Sequence, residues 1–135
     1  MSSKLKVTTK NAPDLMPDVL SQAIVSNNTV YCSGAVGIDP STKTLVSGTV
    51  TDRTHQCIRN LAAVLAAADS SLDNVLKVNV FLADMADFAA MNEAYKTYWG
   101  AVKPSRTCVA VKQLPLGTDV EIECVAVVSP RSNKL

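Results

Sequence analysis

The stretch Val120 to Val128 reads VEIECVAVV. Val120, Ile122, Cys124 and Ala126 fall on one parity, and Glu121, Glu123, Val125 and Val127 on the other. Side chains of a strand alternate between its two faces, so this pattern demands a sheet. One face is apolar without interruption and needs a covering layer. The opposite face carries two carboxylates among valines. A second strand, Thr107 to Lys112, precedes it across the loop QLPLGT. There, Arg106, Cys108 and Ala110 share one parity and Thr107, Val109 and Val111 the other. Charges on strands that otherwise build a core need a reason.

The rest of the chain supplies the covering layer. In TDRTHQCIRNLAAVLAAADSSLDN, Cys57, Ile58, Leu61, Val64, Leu65 and Ala68 recur at three- and four-residue steps. That spacing predicts an amphipathic helix, with Thr51 or Asp52 as its N-cap. A second helix is expected in ADFAAMNEAYKTYWG, with Phe88, Met91, Tyr95, Tyr98 and Trp99 as its stripe and Asp84 or Asp87 as its cap. Between the helices, VLKVNVFLAD reads as a strand with Val78, Val80 and Leu82 on one face. Upstream, Leu5 to Thr9 is a short strand and NAPDLMPD a loop. Ala23 to Val25 and Thr29 to Cys32 form a hairpin through Ser26-Asn27-Asn28. Ser33-Gly34 interrupts the second hairpin strand, as at a bulge or a close approach. The order is β-β-β-α-β-α-β-β. It predicts a two-layer α+β domain, residues 1–135, with two helices on one face of a mixed sheet. The other face stays partly apolar, and self-association would cover it.

Composition excludes several functions. The net charge is +1 and aromatic residues are 4% of the chain. Neither a basic footprint nor a stacking platform for nucleic acid is present. The longest apolar run, Leu61 to Ala68, is far short of the roughly 20 residues of a membrane span. The first residues lack a signal core and fit an Arg-rich transit peptide poorly, so the cytoplasm is the expected compartment, with the mitochondrial matrix as the alternative. Cys32, Cys57, Cys108 and Cys124 form no CxxC pair, and with His55 the single histidine they spell no metal site. Free buried thiols are expected. Asn27-Asn28-Thr29 matches a glycosylation sequon of the kind that arises by chance. No P-loop, GxGxxG or GxSxG occurs, and His55 reads as a surface or cap residue.

The chemistry that remains is small. Arg offers a planar fork of donors that can hold a carboxylate bidentately. A partly desolvated carboxylate can orient or deprotonate water. Arg106 near Glu121 would therefore suit a small acid that reacts with water; an ordinary ion pair would leave the same pattern. Cys108 has no histidine nearby in sequence to activate it and reads as a pocket-lining thiol. Asn92 lies beside the apolar stripe of the second helix.

PSRTCVAVKQLPLGTDVEIE, Pro104 to Glu123, resembles the signature of the Rid (YjgF) family of imine/enamine deaminases. NAPD, SQAIVSNNTVYCSG, the helix-strand-helix stretch from Gln56 to Tyr95, and YWGAVKPSR follow in family order at family spacing. The resemblance implies a chorismate-mutase-like fold, a homotrimer associated through its sheets, and pockets at the subunit interfaces. It implies that Arg106 binds the substrate carboxylate and that Glu121, rather than Glu123, positions water. Cys108 and Asn92 would line the pocket, together with the backbone of Ser33 and Gly34. The implied reaction is hydrolysis of 2-imino and 2-enamino acids, such as 2-aminoacrylate and 2-aminocrotonate, to 2-keto acids and ammonia, without metal or cofactor.

Two departures stand out. The family often has a tyrosine before Ser-Gln-Ala; here Leu20 or Asp18 takes its place, depending on the anchor of the alignment. SGAVG, with Ala35 and Gly37, stands where the family has Ser-Gly-Gln followed by Ile-Pro, so one pocket wall is expected to be altered. The missing tyrosine keeps a rival in view, since some relatives are described as translation inhibitors, single-strand ribonucleases or chaperone-like proteins. The near-neutral charge argues against RNA as the main ligand.

Overall fold

The computed structural model describes residues 3–130. Its strands are β1 (Leu5–Val7), β2 (Ala23–Ser26), β3 (Thr29–Cys32), β4 (Ala35–Val36), β5 (Val75–Leu82), β6 (Ser105–Ala110) and β7 (Val120–Val127). Helix α1 is Val50–Ala67 and α2 is Phe88–Tyr95. The sheet order is β1-β2-β3-β7-β5-β6, with β4 pairing β7 beyond the end of β3. Only β5 and β6 run parallel; the other pairs are antiparallel. A parallel neighbour needs a crossover, and α2 supplies it. The sheet is thus mixed and unclosed, with both helices on one face, as the order of elements predicted. The expected domain, 1–135, includes residues 1, 2 and 131–135, which lie outside the described residues.

The alternating stretch became β7, which lies between β3 and β5. Its Val120, Ile122, Cys124 and Ala126 are buried under the helices, facing Ile58, Leu61 and Leu65 of α1 and Val78 and Val80 of β5. Each such aliphatic side chain contributes about 1.5–3 kcal/mol by leaving water. The face turned away from the helices is only partly covered. Tyr31 and Val109 are 51% and 43% exposed there, and Ile24, Phe81, Val125 and Val127 are half-buried.

Several boundaries differ from expectation. The N-cap of α1 is Thr49, whose hydroxyl accepts from the Thr51 amide, while the Asp52 carboxylate accepts from the Thr49 amide. This is a capping box, so Asp52 is its reciprocating member and Thr51 lies inside the helix. Strand β6 begins and ends two residues earlier than its apolar pattern suggested, because it pairs with Lys77–Leu82 of β5. Helix α2 stops at Tyr95, so Tyr98 and Trp99 lie beyond it. There the Thr97 hydroxyl donates to the Ala94 carbonyl, and the Lys103 ammonium donates to the carbonyls of Trp99 and Gly100. Such local bonds compete with continued helix. Asp84 caps the short 3₁₀ turn ahead of α2, accepting from the Ala86 amide.

The hairpin turn falls on Asn27 and Asn28, both at positive φ (49° and 64°), a conformation that Asn tolerates. Strand β4 was not foreseen as a separate element. Between the pairs Tyr31↔Val125 and Ala35↔Ile122 the first chain has one residue more than β7. Ser33-Gly34 is therefore a bulge, as the glycine suggested. His55 is not a cap: its Nδ1 lies 2.5 Å from the Tyr98 hydroxyl and ties α1 to the segment after α2.

Candidate active site

The six expected site residues fall into two groups. Arg106, Cys108 and Asn92 form one; Ser33, Gly34 and Glu121 form the other. Strand β5 separates them, because β6 neighbours β5 and not β7. Arg106 registers with Val78, whereas Glu121 registers with Phe81. Across two strand spacings that is roughly 10 Å sideways, plus roughly 10 Å along the strands. The side chains also leave by opposite faces. The idea that Arg106 meets Glu121 across the sheet within one chain is therefore corrected: alternation sets the face of a side chain and says nothing of strand neighbours.

The first group sits at β6, one of the two edges of the sheet, and at α2, on the side of the helices. Arg106 Nη1 donates to Asn92 Oδ1 at 2.7 Å. Its guanidinium carbon lies 4.7 Å from the centroid of the Tyr95 ring and 5.7 Å from that of Phe88. Among the described residues no carboxylate pairs with it; the two ion pairs there are Arg53–Asp119 and Glu93–Lys96. Cys108 is half-buried on the same face of β6. Burial pushes its thiol up from the ordinary value, and the Arg106 charge only partly offsets this. The thiol is thus protonated at neutral pH, and a lining role fits better than a nucleophile. The other three cysteines are buried and free.

The second group lies at a cleft of ≈ 620 Å³. Its lining includes Glu121, Glu123, Ser33, Gly34, Leu20, Ala35, Leu116 and Val64 of α1. The bulge brings the Gly34 backbone against Glu121: a Cβ added at Gly34 would fall 2.0 Å from Glu121 Oε2. Burial, and then the neighbouring Glu123 charge, raise the Glu121 pKa above its ordinary value of 4.5. The Glu123 carboxylate accepts from Asn79 at 3.0 Å, while Glu121 has no hydrogen-bond donor among the described residues. Two similar carboxylates therefore differ: Glu123 is engaged and Glu121 is free. Ser33 lines the cleft with its hydroxyl donated to the Ser21 carbonyl at 2.6 Å and its amide to the Gln22 carbonyl at 3.0 Å.

Of the two residues that could take the tyrosine's place, Leu20 lines the cleft and Asp18 does not. Ala35 lines it too. Gly37 does not line this cleft; it is buried against α1, where a Cβ would meet the Arg53 backbone at 2.9 Å. The expectation that Gly37 alters the pocket is corrected accordingly.

Several residues that shape the site went unseen in the sequence. Gln22 is buried and donates to the carbonyls of Thr9, Ala12 and Pro13, while its own carbonyl accepts from the Thr9 amide at 2.7 Å. It pins the NAPD loop beside the cleft. Asn60 reaches from α1 to the carbonyls of Val36 and Ile38 and holds β4 in place. A polar residue within the apolar stripe of α1 was the available signal. Among the described residues, no group of three or more His, Cys, Asp or Glu could hold a metal ion, and no helix is long and apolar enough to cross a membrane.

Two helices on a mixed open sheet, with a guanidinium at the free edge and an unpaired carboxylate on the uncovered face, define a two-layer α+β protein with a divided polar site. A family model described as Endoribonuclease L-PSP matches residues 9–128. The mouse protein named 2-iminobutanoate/2-iminopropanoate deaminase is 43% identical over 132 residues, 96% of this chain and 97% of its own. Fission yeast mmf1, named as mitochondrial, is 44% identical over 129 residues, 93% of this chain and 77% of its own. The crystal structure of yeast Mmf1 superposes with a TM-score of 0.90 at 42% identity, covering 94% of this chain and all of that one. The chain belongs to the Endoribonuclease L-PSP family, which includes the Rid proteins.

Proposed function

We propose that the protein hydrolyses small 2-imino and 2-enamino acids to 2-keto acids and ammonia, and that two copies build each site. One observation carries this reading. An unpaired guanidinium and an unpaired carboxylate exist on one chain but cannot reach the same small molecule there. A neighbouring copy removes the difficulty, because Arg106 lies at a free sheet edge, and Glu121 lines the cleft from the partly apolar face of the sheet. A homotrimer packed through that face, with one domain per chain, is the arrangement we favour. The deaminase name of the mouse relative supports the choice of substrate.

The chemistry follows from the groups. Arg106 takes the carboxylate with its free N–H donors while Asn92 occupies Nη1. Cys108 packs beside the substrate, and the Ser33-Gly34 backbone borders it. Glu121 accepts a proton as water attacks the imine carbon. The tetrahedral intermediate then expels ammonia, with the proton returned to nitrogen. The products are the 2-keto acid and ammonia, and the sum is one water added and one ammonia lost. An imine carbon is already electrophilic, so no metal or cofactor is called for. Holding both reactants in place can supply up to about 7–11 kcal/mol of the barrier.

For compartment we propose the cytoplasm, with the mitochondrial matrix as the alternative. The near-neutral charge favours a small acid over RNA.

The test uses two disabled variants. With 2-aminoacrylate generated in place by a dehydratase, wild-type protein should accelerate pyruvate release, and Arg106→Ala and Glu121→Gln should each lose roughly a hundredfold or more of that acceleration. Co-refolding the two should restore part of the activity, since some sites then receive both intact groups. Wild-type protein without acceleration would end the reading; inactive mixtures would end the shared site.

A further inference from the structure

We propose that Tyr95 is a positioning residue whose buried ring face sets the plane of the Arg106 guanidinium, leaving an edge of the fork free for a planar carboxylate. The inference rests on the reading of Arg106 given above. An arginine on an edge strand has many rotamers and, with no acid beside it, little electrostatic reason to prefer one. Helix α2 removes that freedom. Phe88, Asn92 and Tyr95 stand at steps of four and three, so all three lie on one face of the helix. Each of them meets the guanidinium. Asn92 accepts from Nη1 at 2.7 Å, which fixes one point in the plane of the fork. Tyr95 lies against the guanidinium at 4.7 Å and Phe88 at 5.7 Å, within cation–π range.

The two rings are not equivalent. Phe88 is 37% exposed, whereas Tyr95 is 8% exposed. Tyr95 is itself held by Trp99, with ring centroids 5.0 Å apart. The fixed surface is therefore Tyr95. Its hydroxyl has no hydrogen-bond partner among the described residues. An orphan buried hydroxyl destabilises a core, so this position is used for its ring and not for its phenol. Burial also pushes the phenol up to about 12, which keeps it neutral. The pairing predicts an unusual pattern: loss of the hydroxyl is harmless, and loss of the ring is not.

The experiment compares Tyr95→Phe with Tyr95→Met in the full chain, reading KM and kcat for hydrolysis of a 2-imino acid together with melting temperature. Met fills a similar volume without a ring face. Tyr95→Met should raise KM about tenfold with kcat nearly unchanged, because the carboxylate is held equally in ground and transition states. Tyr95→Phe should keep the wild-type KM. A role in packing alone would lower the melting temperature of Tyr95→Met and leave KM in place; that result overturns the proposal. Equal KM increases in both variants would overturn it too, by pointing to the hydroxyl. Should Tyr95→Met not fold, the wild-type protein decides by NMR. The Arg106 Nε proton should be shifted upfield of that of exposed Arg59 by the Tyr95 ring current, and coincident shifts would overturn the proposal. If wild-type protein shows no hydrolysis at all, the proposed activity falls and takes the substrate role of Tyr95 with it, whereas an unchanged KM in Tyr95→Met removes Tyr95 alone.

Discussion

The guanidinium half and the carboxylate half of the site are built by different means. Around Arg106 the support is side chains: an amide and two rings from a single helix, α2. Around Glu121 it is backbone: a bulge at Ser33-Gly34 and a strand, β4, held by Asn60. In the first half the guanidinium is held from several sides, as the proposed carboxylate receptor requires. The second is unfinished, with a desolvated acid that has no donor and lies beside another acid. The contrast suits a division of labour in which one half binds and the other reacts. Binding benefits from groups already satisfied and rigid. Proton transfer benefits from a group whose proton affinity has been raised toward neutrality.

The widest test of this contrast is kinetic. Arg106→Ala should lower kcat/KM by roughly a thousandfold, mainly by loss of binding. Glu121→Gln should lower kcat by roughly a hundredfold with KM nearly kept. Steady-state measurements on both variants decide the matter, and an exchange of the two signatures would break the assignment of roles.

Two glycines sharpen it further. Gly34→Ala drives a methyl into Glu121 Oε2, the movable end of a side chain. We expect about a tenfold loss of kcat with little change in stability. Gly37→Ala meets the Arg53 backbone, which cannot swing aside. It should cost about 1–3 kcal/mol of stability while folded protein keeps its activity. Denaturation and activity assays on the pair would separate catalytic space from packing space.

The smallest effect is in pH. Burial and Glu123 raise the Glu121 pKa, so the acid limb of the kcat profile should lie above the ordinary carboxylate value of 4.5. Glu123→Gln should move that limb downward. A raised folded-state pKa adds stability below the unfolded pKa, and that stability is lost as pH rises through the folded pKa. At neutral pH the ionised acid therefore opposes folding, and Glu121→Gln should melt slightly higher than wild type despite its lowered kcat. A variant that melts lower would show that Glu121 has a structural partner instead.

Much of this architecture was legible beforehand. Period two over Val120 to Val128 and period 3.6 over Cys57 to Ala68 depend on local geometry, and both elements formed. Boundaries that depend on partners were displaced. Strand β6 follows the register of β5, and α2 ends where the Thr97 hydroxyl takes the Ala94 carbonyl. Gly34 was readable as a bulge because a glycine inside a strand has few other causes. Gly37 was not, because the obstacle at that position is Arg53 of α1, sixteen residues downstream in sequence. Gln22 and Tyr95 were invisible as site builders for the same reason: their partners are remote or their contact is a ring face.

Parity along a strand follows from bond geometry within a few residues, so the chain alone determined that Arg106 and Cys108 share a face and that Glu121 and Glu123 share another. It also determined two helices with one apolar stripe each. Which strands lie side by side depends on how the whole chain buries its apolar area, and only the tertiary structure decided that β5 stands between Arg106 and Glu121. That insertion turns an apparent ion pair into two separate half-sites, because unlike charges held on opposite faces of a sheet cannot neutralise each other.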